Sequence, residues 1–135
     1  MGPDDETGGA PEKSGKTIVI ADDEPTILHL VRFRLERDGH TVIAVSDGEA
    51  AREAIREHRP DVCVLDVMMP KLGGLELLQT LRADPETADM RVILLTSRGQ
   101  ETDLDRGFDA GANDYMIKPF SPQELRQRVR AQLAR

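Results

Sequence analysis

Five short apolar runs alternate along this chain with stretches whose apolar residues recur every three or four positions. Thr17-Ile18-Val19-Ile20-Ala21 is rich in β-branched residues and reads as a first strand. Asp22-Asp23-Glu24-Pro25 follows. Pro25 suits the first turn of a helix, and the acids before it suit a helix N-terminus. That helix is predicted to run to about Asp38, with Ile27, Val31 and Leu35 on one row and Gly39 as its stop. Thr41 to Val45 is a second strand. Ser46-Asp47 then caps a second helix with Ala51, Ala54 and Ile55 inward, and Pro60 ends the connection. The third run, Val62-Cys63-Val64-Leu65-Asp66, is apolar throughout until its last residue. Bounded by Pro60 and by Pro70, Gly73 and Gly74, it reads as a strand buried on both faces.

The helix after it carries Leu75, Leu78 and Leu81, and a polar loop spans Ala83 to Met90. Val92 to Thr96 is a fourth buried strand. A shorter helix follows from about Thr102 to Ala110, weakened at its centre by Gly107 and ended by Gly111. Asp114 to Ile117 is a fifth strand, leading into Lys118-Pro119-Phe120. Ser121-Pro122-Gln123-Glu124 is predicted to be a full capping box. The last helix has Leu125, Val129 and Leu133 inward, and Arg126, Arg128 and Arg130 outward.

Strict βα alternation of this kind predicts an α/β fold: a doubly wound five-stranded parallel sheet with helices on both faces and right-handed crossovers. Five strands favour the flavodoxin-like order 2-1-3-4-5. Residues 1–16 contain Gly and Pro without apolar periodicity and are expected to form a disordered N-terminal tail, leaving 17–135 as one domain.

Composition narrows the picture. Of 135 residues, 39% are hydrophobic but only 3% aromatic, so the core is aliphatic. The net charge of −7 argues against general phosphate-backbone attraction, so no direct nucleic-acid binding is expected of this domain. The lone Cys63 lies in the apolar third strand, reads as a small buried hydrophobe, and rules out an internal disulfide. No apolar run approaches the roughly 18 residues of a bilayer span, and the polar N-terminus is no signal peptide. A soluble cytoplasmic protein with no membrane partner is expected.

The ends of the strands carry the candidate chemistry. The first strand ends in Asp22 and Asp23, the third in Asp66, the fourth in Thr96, and the fifth hands over to Lys118. A parallel sheet puts all these ends on one edge, where ligands collect in open α/β folds. Three carboxylates together raise one another's pKa. A bound Mg²⁺ and the lysine would relieve the repulsion, because Mg²⁺ takes a few hard oxygen ligands and keeps its waters. A carboxylate so placed can attack a phosphoryl group and hold it as an aspartyl phosphate, with the cation and lysine offsetting charge and Thr96 donating a hydrogen bond. Taken singly, each residue has a plainer reading. Asp22 and Asp23 suit helix caps, Thr96 a strand-end cap, Lys118 a solvated loop, and Asp66 a loop cap.

Four segments in this order resemble the receiver domain of two-component response regulators. They are Val19 to Pro25, Asp61 to Gly74, Ile93 to Arg98 and Gly111 to Phe120, and the resemblance covers about Thr17 to Arg135. It implies that Asp66 accepts a phosphoryl group from a histidine kinase or phosphotransferase. It implies that Asp22, Asp23, Asp66 and the backbone carbonyl of Met68 hold Mg²⁺, and that Thr96 and Lys118 contact the phosphoryl group. Tyr115 would be the switch aromatic, and a cis peptide bond would precede Pro119. Met68 and Arg98 would tune phosphate lifetime. Ser97 replaces a usual Ala, and Asn113 an Asp frequent in the transcription-factor branch. Glu101 to Arg130 resembles receivers that precede a winged-helix domain. It implies a phosphorylation-linked homodimer through the fourth helix, fifth strand and fifth helix, with Asp109 and Asp114 facing Arg128 and Arg130.

Such a receiver is not an enzyme on outside substrates; it catalyses only its own phosphorylation and dephosphorylation. A hydrolytic phosphatase with an aspartyl intermediate would need a second Asp two residues after the nucleophile, where Met68 stands. An alternative is an interaction-only receiver that works without phosphorylation, although such a chain would be expected to lack the acids or Lys118. No output domain is visible within this sequence, which leaves a stand-alone receiver and a piece of a longer regulator both open. His29, His40 and His58 have no metal-ligand spacing. Gly73-Gly74 lacks the Lys-Ser/Thr of a phosphate-binding loop. Phe33 lies off the inward row of its helix, where core packing and a partner contact are both open.

Overall fold

Alternation within each strand decides which layer every helix joins. In the computed structural model, which describes residues 15–97 and 101–134, the strands are β1 (Thr17–Ala21), β2 (Thr41–Val45), β3 (Val62–Asp66), β4 (Arg91–Ser97) and β5 (Asp114–Lys118). All pairings are parallel and the order is β2-β1-β3-β4-β5, as expected from five βα units. The helices are α1 (Pro25–Arg37), α2 (Gly48–His58), α3 (Gly74–Ala83), α4 (Glu101–Asp109) and α5 (Pro122–Leu133). Successive strand residues point to opposite faces. On one face Val19, Cys63, Leu65, Val92 and Leu94 meet Ala51, Ala54 and Ile55 of α2 and Leu75, Leu77, Leu78 and Leu81 of α3. On the other, Ile18, Ile20, Val62, Val64, Ile93 and Leu95 meet Val31 and Leu35 of α1 and Leu125 and Val129 of α5. Every residue of β3 is buried, which is the pattern of a central parallel strand. Among the described residues no helix is long and apolar enough to cross a membrane.

Several local expectations change. β4 is one residue longer at each end than the apolar run. The capping box of α5 is only half made: Ser121 Oγ accepts from the Glu124 amide at 3.0 Å, while the Glu124 carboxylate turns to Arg128. Arg126 does not face open solvent but pairs with Asp38 at 2.7 Å. Leu133 is half-buried, and Gln132 is buried beside it. Phe33 is 58% exposed, so it packs no core; the Arg37 guanidinium lies 5.8 Å from its ring. Of the expected N-terminal tail, residues 1–14 lie outside the described residues, as does Arg98.

One polar cluster anchors the sheet edge on the α3 side. The Arg82 guanidinium donates to the Gly111 carbonyl from both Nε (3.0 Å) and Nη2 (2.8 Å), and to Asn113 Oδ1 at 3.0 Å. Asn113 Oδ1 also accepts from the Val92 amide at 2.8 Å. α3 is thereby tied to the turn that sets the start of β5. Gly111 has φ +101, and a Cβ there would crowd the Arg82 side chain, so both backbone and space favour glycine. Replacing Arg82 by Met removes three hydrogen bonds and leaves half-buried acceptors short of donors. We expect a loss of about 2 kcal/mol in urea unfolding; an unchanged midpoint would show that the cluster contributes little.

Candidate functional site

The carboxyl edge of the sheet gathers residues from four loops. Leu65 is in register with Ala21, and Asp66 with Leu95. Asp22 therefore sits one step past β1 beside Asp66, and Thr96 one step past Leu95 on the other side. Ser97 is in register with Lys118, which ends β5. α3 begins tight against this edge: a Cβ on Gly74 would run into the Asp66 carbonyl, so only glycine lets the helix start there. The Gly74 amide donates to the Val67 carbonyl at 3.1 Å, and the Val67 amide to the Leu95 carbonyl at 2.9 Å. The peptide bond between Lys118 and Pro119 is cis.

Asp22, Asp66 and Thr96 are buried, whereas Asp23 is exposed. Lys118 Nζ donates to Asp66 Oδ2 at 2.9 Å and to Glu24 Oε1 at 2.9 Å. It also lies 2.8 Å from Asp22 Oδ2, a buried ion pair. Asp66 Oδ1 accepts from the Met68 amide at 3.1 Å, and Asp22 Oδ1 from the Glu24 amide at 2.9 Å. The Met68 side chain points to the surface, 58% exposed. Thr96 Oγ1 is buried with no hydrogen-bond partner among the described residues.

Charge sets the behaviour of this edge. Burial pushes the Asp66 carboxyl up from 3.8 to about 6; Lys118 opposes this, the nearby Asp22 adds to it, and the Met68 amide opposes it. Burial alone would lower the Lys118 ammonium, but its contacts with Asp22, Asp66 and Glu24 outweigh that and hold it above the ordinary lysine range. The carboxylates of Asp22, Asp23 and Asp66 offer oxygens all within 4.8 Å of one another. Two of the three acids, Asp22 and Asp66, are buried, and a cluster of hard carboxylate oxygens of this kind fits a hard divalent cation such as Mg²⁺.

The structure thus brings Asp22, Asp23, Asp66, Thr96 and Lys118 to one edge. Tyr115 stands apart from them, half-buried, its ring packed edge-on against Phe108 with centroids 5.3 Å apart. Asp114 is held within the chain by Arg128 Nη1, at 2.9 and 3.1 Å. Sequence reasoning gave Glu24 no role beyond a helix N-terminus. The available signal was its residue type, since Glu is a poor cap where Ser, Asp or Asn is preferred.

The response regulator receiver domain family matches residues 18–130. The alkaline phosphatase synthesis transcriptional regulatory protein PhoP of Bacillus subtilis is 44% identical over 120 residues, which is 89% of this chain and 49% of that protein. The phosphate regulon transcriptional regulatory protein PhoB of Rhizobium meliloti is 42% identical over 118 residues, 87% of this chain and 52% of that protein. The chain therefore spans about half the length of these relatives. A response regulator from Chloroflexus aurantiacus superposes with a TM-score of 0.85 at 37% identity, covering 90% of this chain and all of that one.

The raised Asp66 carboxyl has a consequence for stability. Its folded pKa lies above the unfolded 3.8, so its contribution is fully present below pH 3.8 and is lost as pH rises through about 6. Asp66→Asn should therefore raise stability at pH 7.5, without divalent cations, by about 1–2 kcal/mol. The full shift would be worth about 3 kcal/mol, and the amide leaves Lys118 one anionic partner fewer. Urea titrations at pH 7.5 and 4 check this: the gain should vanish at the lower pH, and a gain equal at both would refute the charge explanation.

Proposed function

The chain belongs to the response regulator receiver domain family, and on that premise we propose that Asp66 is its phosphoacceptor in a two-component signalling pathway. The observation that carries this is the contact between Lys118 and Asp66, 52 residues apart in sequence and 2.9 Å apart in space. It joins the half-buried Lys118 ammonium to the carboxylate at the end of the central strand. Asp66 in its ionised form attacks the phosphorus of a phosphohistidine; the P–O bond forms, the P–N bond breaks, and the imidazole leaves. Lys118 and the Thr96 hydroxyl then donate to the phosphoryl oxygens. The buried, unpartnered Thr96 Oγ1 supports that role, because a buried hydroxyl without an acceptor is costly unless a ligand supplies one. Asp22, Asp23, Asp66 and the Met68 carbonyl would hold Mg²⁺, which when bound offsets the negative charge of the transferring group.

The reading extends to a receiver domain over 17–135, cytoplasmic, acting on no substrate other than its own aspartyl phosphate. A histidine kinase or phosphotransferase is the donor. The exposed Leu30 and Phe33 of α1 support a docking role for that helix. Phosphorylation would draw Thr96 toward the phosphoryl group and let Tyr115 turn inward, changing the α4-β5-α5 face for an output domain or a second copy.

Intact mass after treatment with acetyl phosphate and Mg²⁺ tests this. Wild type should gain one phosphoryl group, Mg²⁺-dependently, and Asp66→Asn should gain none. Light scattering on the same samples reads out dimerisation. Wild type that neither gains mass nor binds beryllofluoride, a phosphoryl mimic, would leave the interaction-only receiver as the standing reading.

A further inference from the structure

Glu24 occupies a helix terminus without serving it. It is the N-cap of α1, with φ −98 and ψ 108, yet its side chain makes no capping hydrogen bond. A Ser, Asp or Asn at that position would. Its carboxylate reaches instead to Lys118, 94 residues away, at 2.9 Å. Asp22 sets this up: its Oδ1 accepts the Glu24 amide, and its Oδ2 faces the same ammonium.

The three acids around Lys118 are not equivalent. The side chains of Asp22 and Asp66 are 0% and 6% exposed, whereas that of Glu24 is 56% exposed. Taking Lys118 away from either buried acid strands a charge out of reach of water. Taking it away from Glu24 returns a carboxylate to solvent at little cost. An ammonium has three N–H donors and no more. A phosphoryl group on Asp66 would add acidic oxygens beside donors already shared among three carboxylates.

We propose that Glu24 is a positioning residue, a releasable tether that holds Lys118 back from a phosphoryl group on Asp66 and lets go when that group forms. This rests on Asp66 being the phosphoacceptor. Because the Glu24–Lys118 contact exists in the unmodified form and is given up in the modified one, it favours the unmodified form. That difference between states is what biases an equilibrium.

The test compares wild type, Glu24→Gln and Glu24→Asp in titrations with beryllofluoride at fixed Mg²⁺, with Asp66→Asn as the blank. The chain has one Tyr and no Trp, so intrinsic emission reports on Tyr115 alone; calorimetry gives binding independently. Gln removes the charge. Asp keeps it but is one methylene shorter and suits the helix cap, so it withdraws from Lys118. A tether predicts that both variants bind beryllofluoride about two- to five-fold more tightly than wild type, the range of an exposed ion pair. Tighter binding by Gln with Asp equal to wild type would mean that charge near the site matters and the contact does not, which overturns the tether. Unchanged or weaker binding by both overturns it as well. Wild type that binds no beryllofluoride sinks the phosphoacceptor reading and the tether together. Urea unfolding checks that all three proteins are folded: Gln, which loses no cap bond, should match wild type, and Asp, which gains one, should unfold at a slightly higher midpoint.

Discussion

One ammonium among carboxylates governs the working edge of this molecule. Asp22 and Asp66 are buried side by side because β1 and β3 are neighbours in the sheet, and no rearrangement of side chains can move them far apart. Two such charges in a dry place are unfavourable unless a cation meets them. Lys118 reaches them from the end of β5 across β4. The arrangement therefore depends on strand order: with β5 at the edge next to β4, its last residue is close enough to answer a charge on β3. What the parallel sheet contributes is less a pocket than a fixed separation between charges of opposite sign.

This edge is held by backbone rather than by side chains. The Gly74 approach to the Asp66 carbonyl and the Val67–Leu95 bond both fix main-chain positions around it. Side chains at the edge can then respond to a charge on Asp66 while the frame beneath them stays put. Thr96 and Lys118 lie at the ends of strands paired within the sheet, so what is free to change is their terminal atoms.

Much of this was legible before any coordinates. The five apolar runs gave strands to within one residue, because buried parallel strands must be apolar on both faces. Asp22, Asp23, Asp66, Thr96 and Lys118 could be placed on one edge because parallel topology sends all strand ends the same way. What could not be read was long-range polar pairing. Arg82 stands in the last turn of α3 and Asn113 just before β5, and nothing local announces that they meet. Glu24 was absorbed into an acidic helix start, and its contact spans 94 residues. Arg126 reads as outward on α5 but Asp38 claims it, and Arg128, expected to face Asp114 across a dimer, meets it within the chain. Hydrophobic periodicity carries the register of buried residues and is silent about which surface charges find one another.

The Arg128–Asp114 pair bears on how the α4-β5-α5 face could join anything. Because Arg128 already has its acid in the same chain, a second copy offering the same two residues could only trade an internal bond for an identical external one. Such an exchange is close to isoenergetic, so it selects orientation without adding strength. The strength of any such union would have to come from oil rather than salt, and Phe108, 47% exposed beside Tyr115, is a large apolar side chain of that face open to water. Adhesion and alignment would then fall to different residues, and could be altered one at a time.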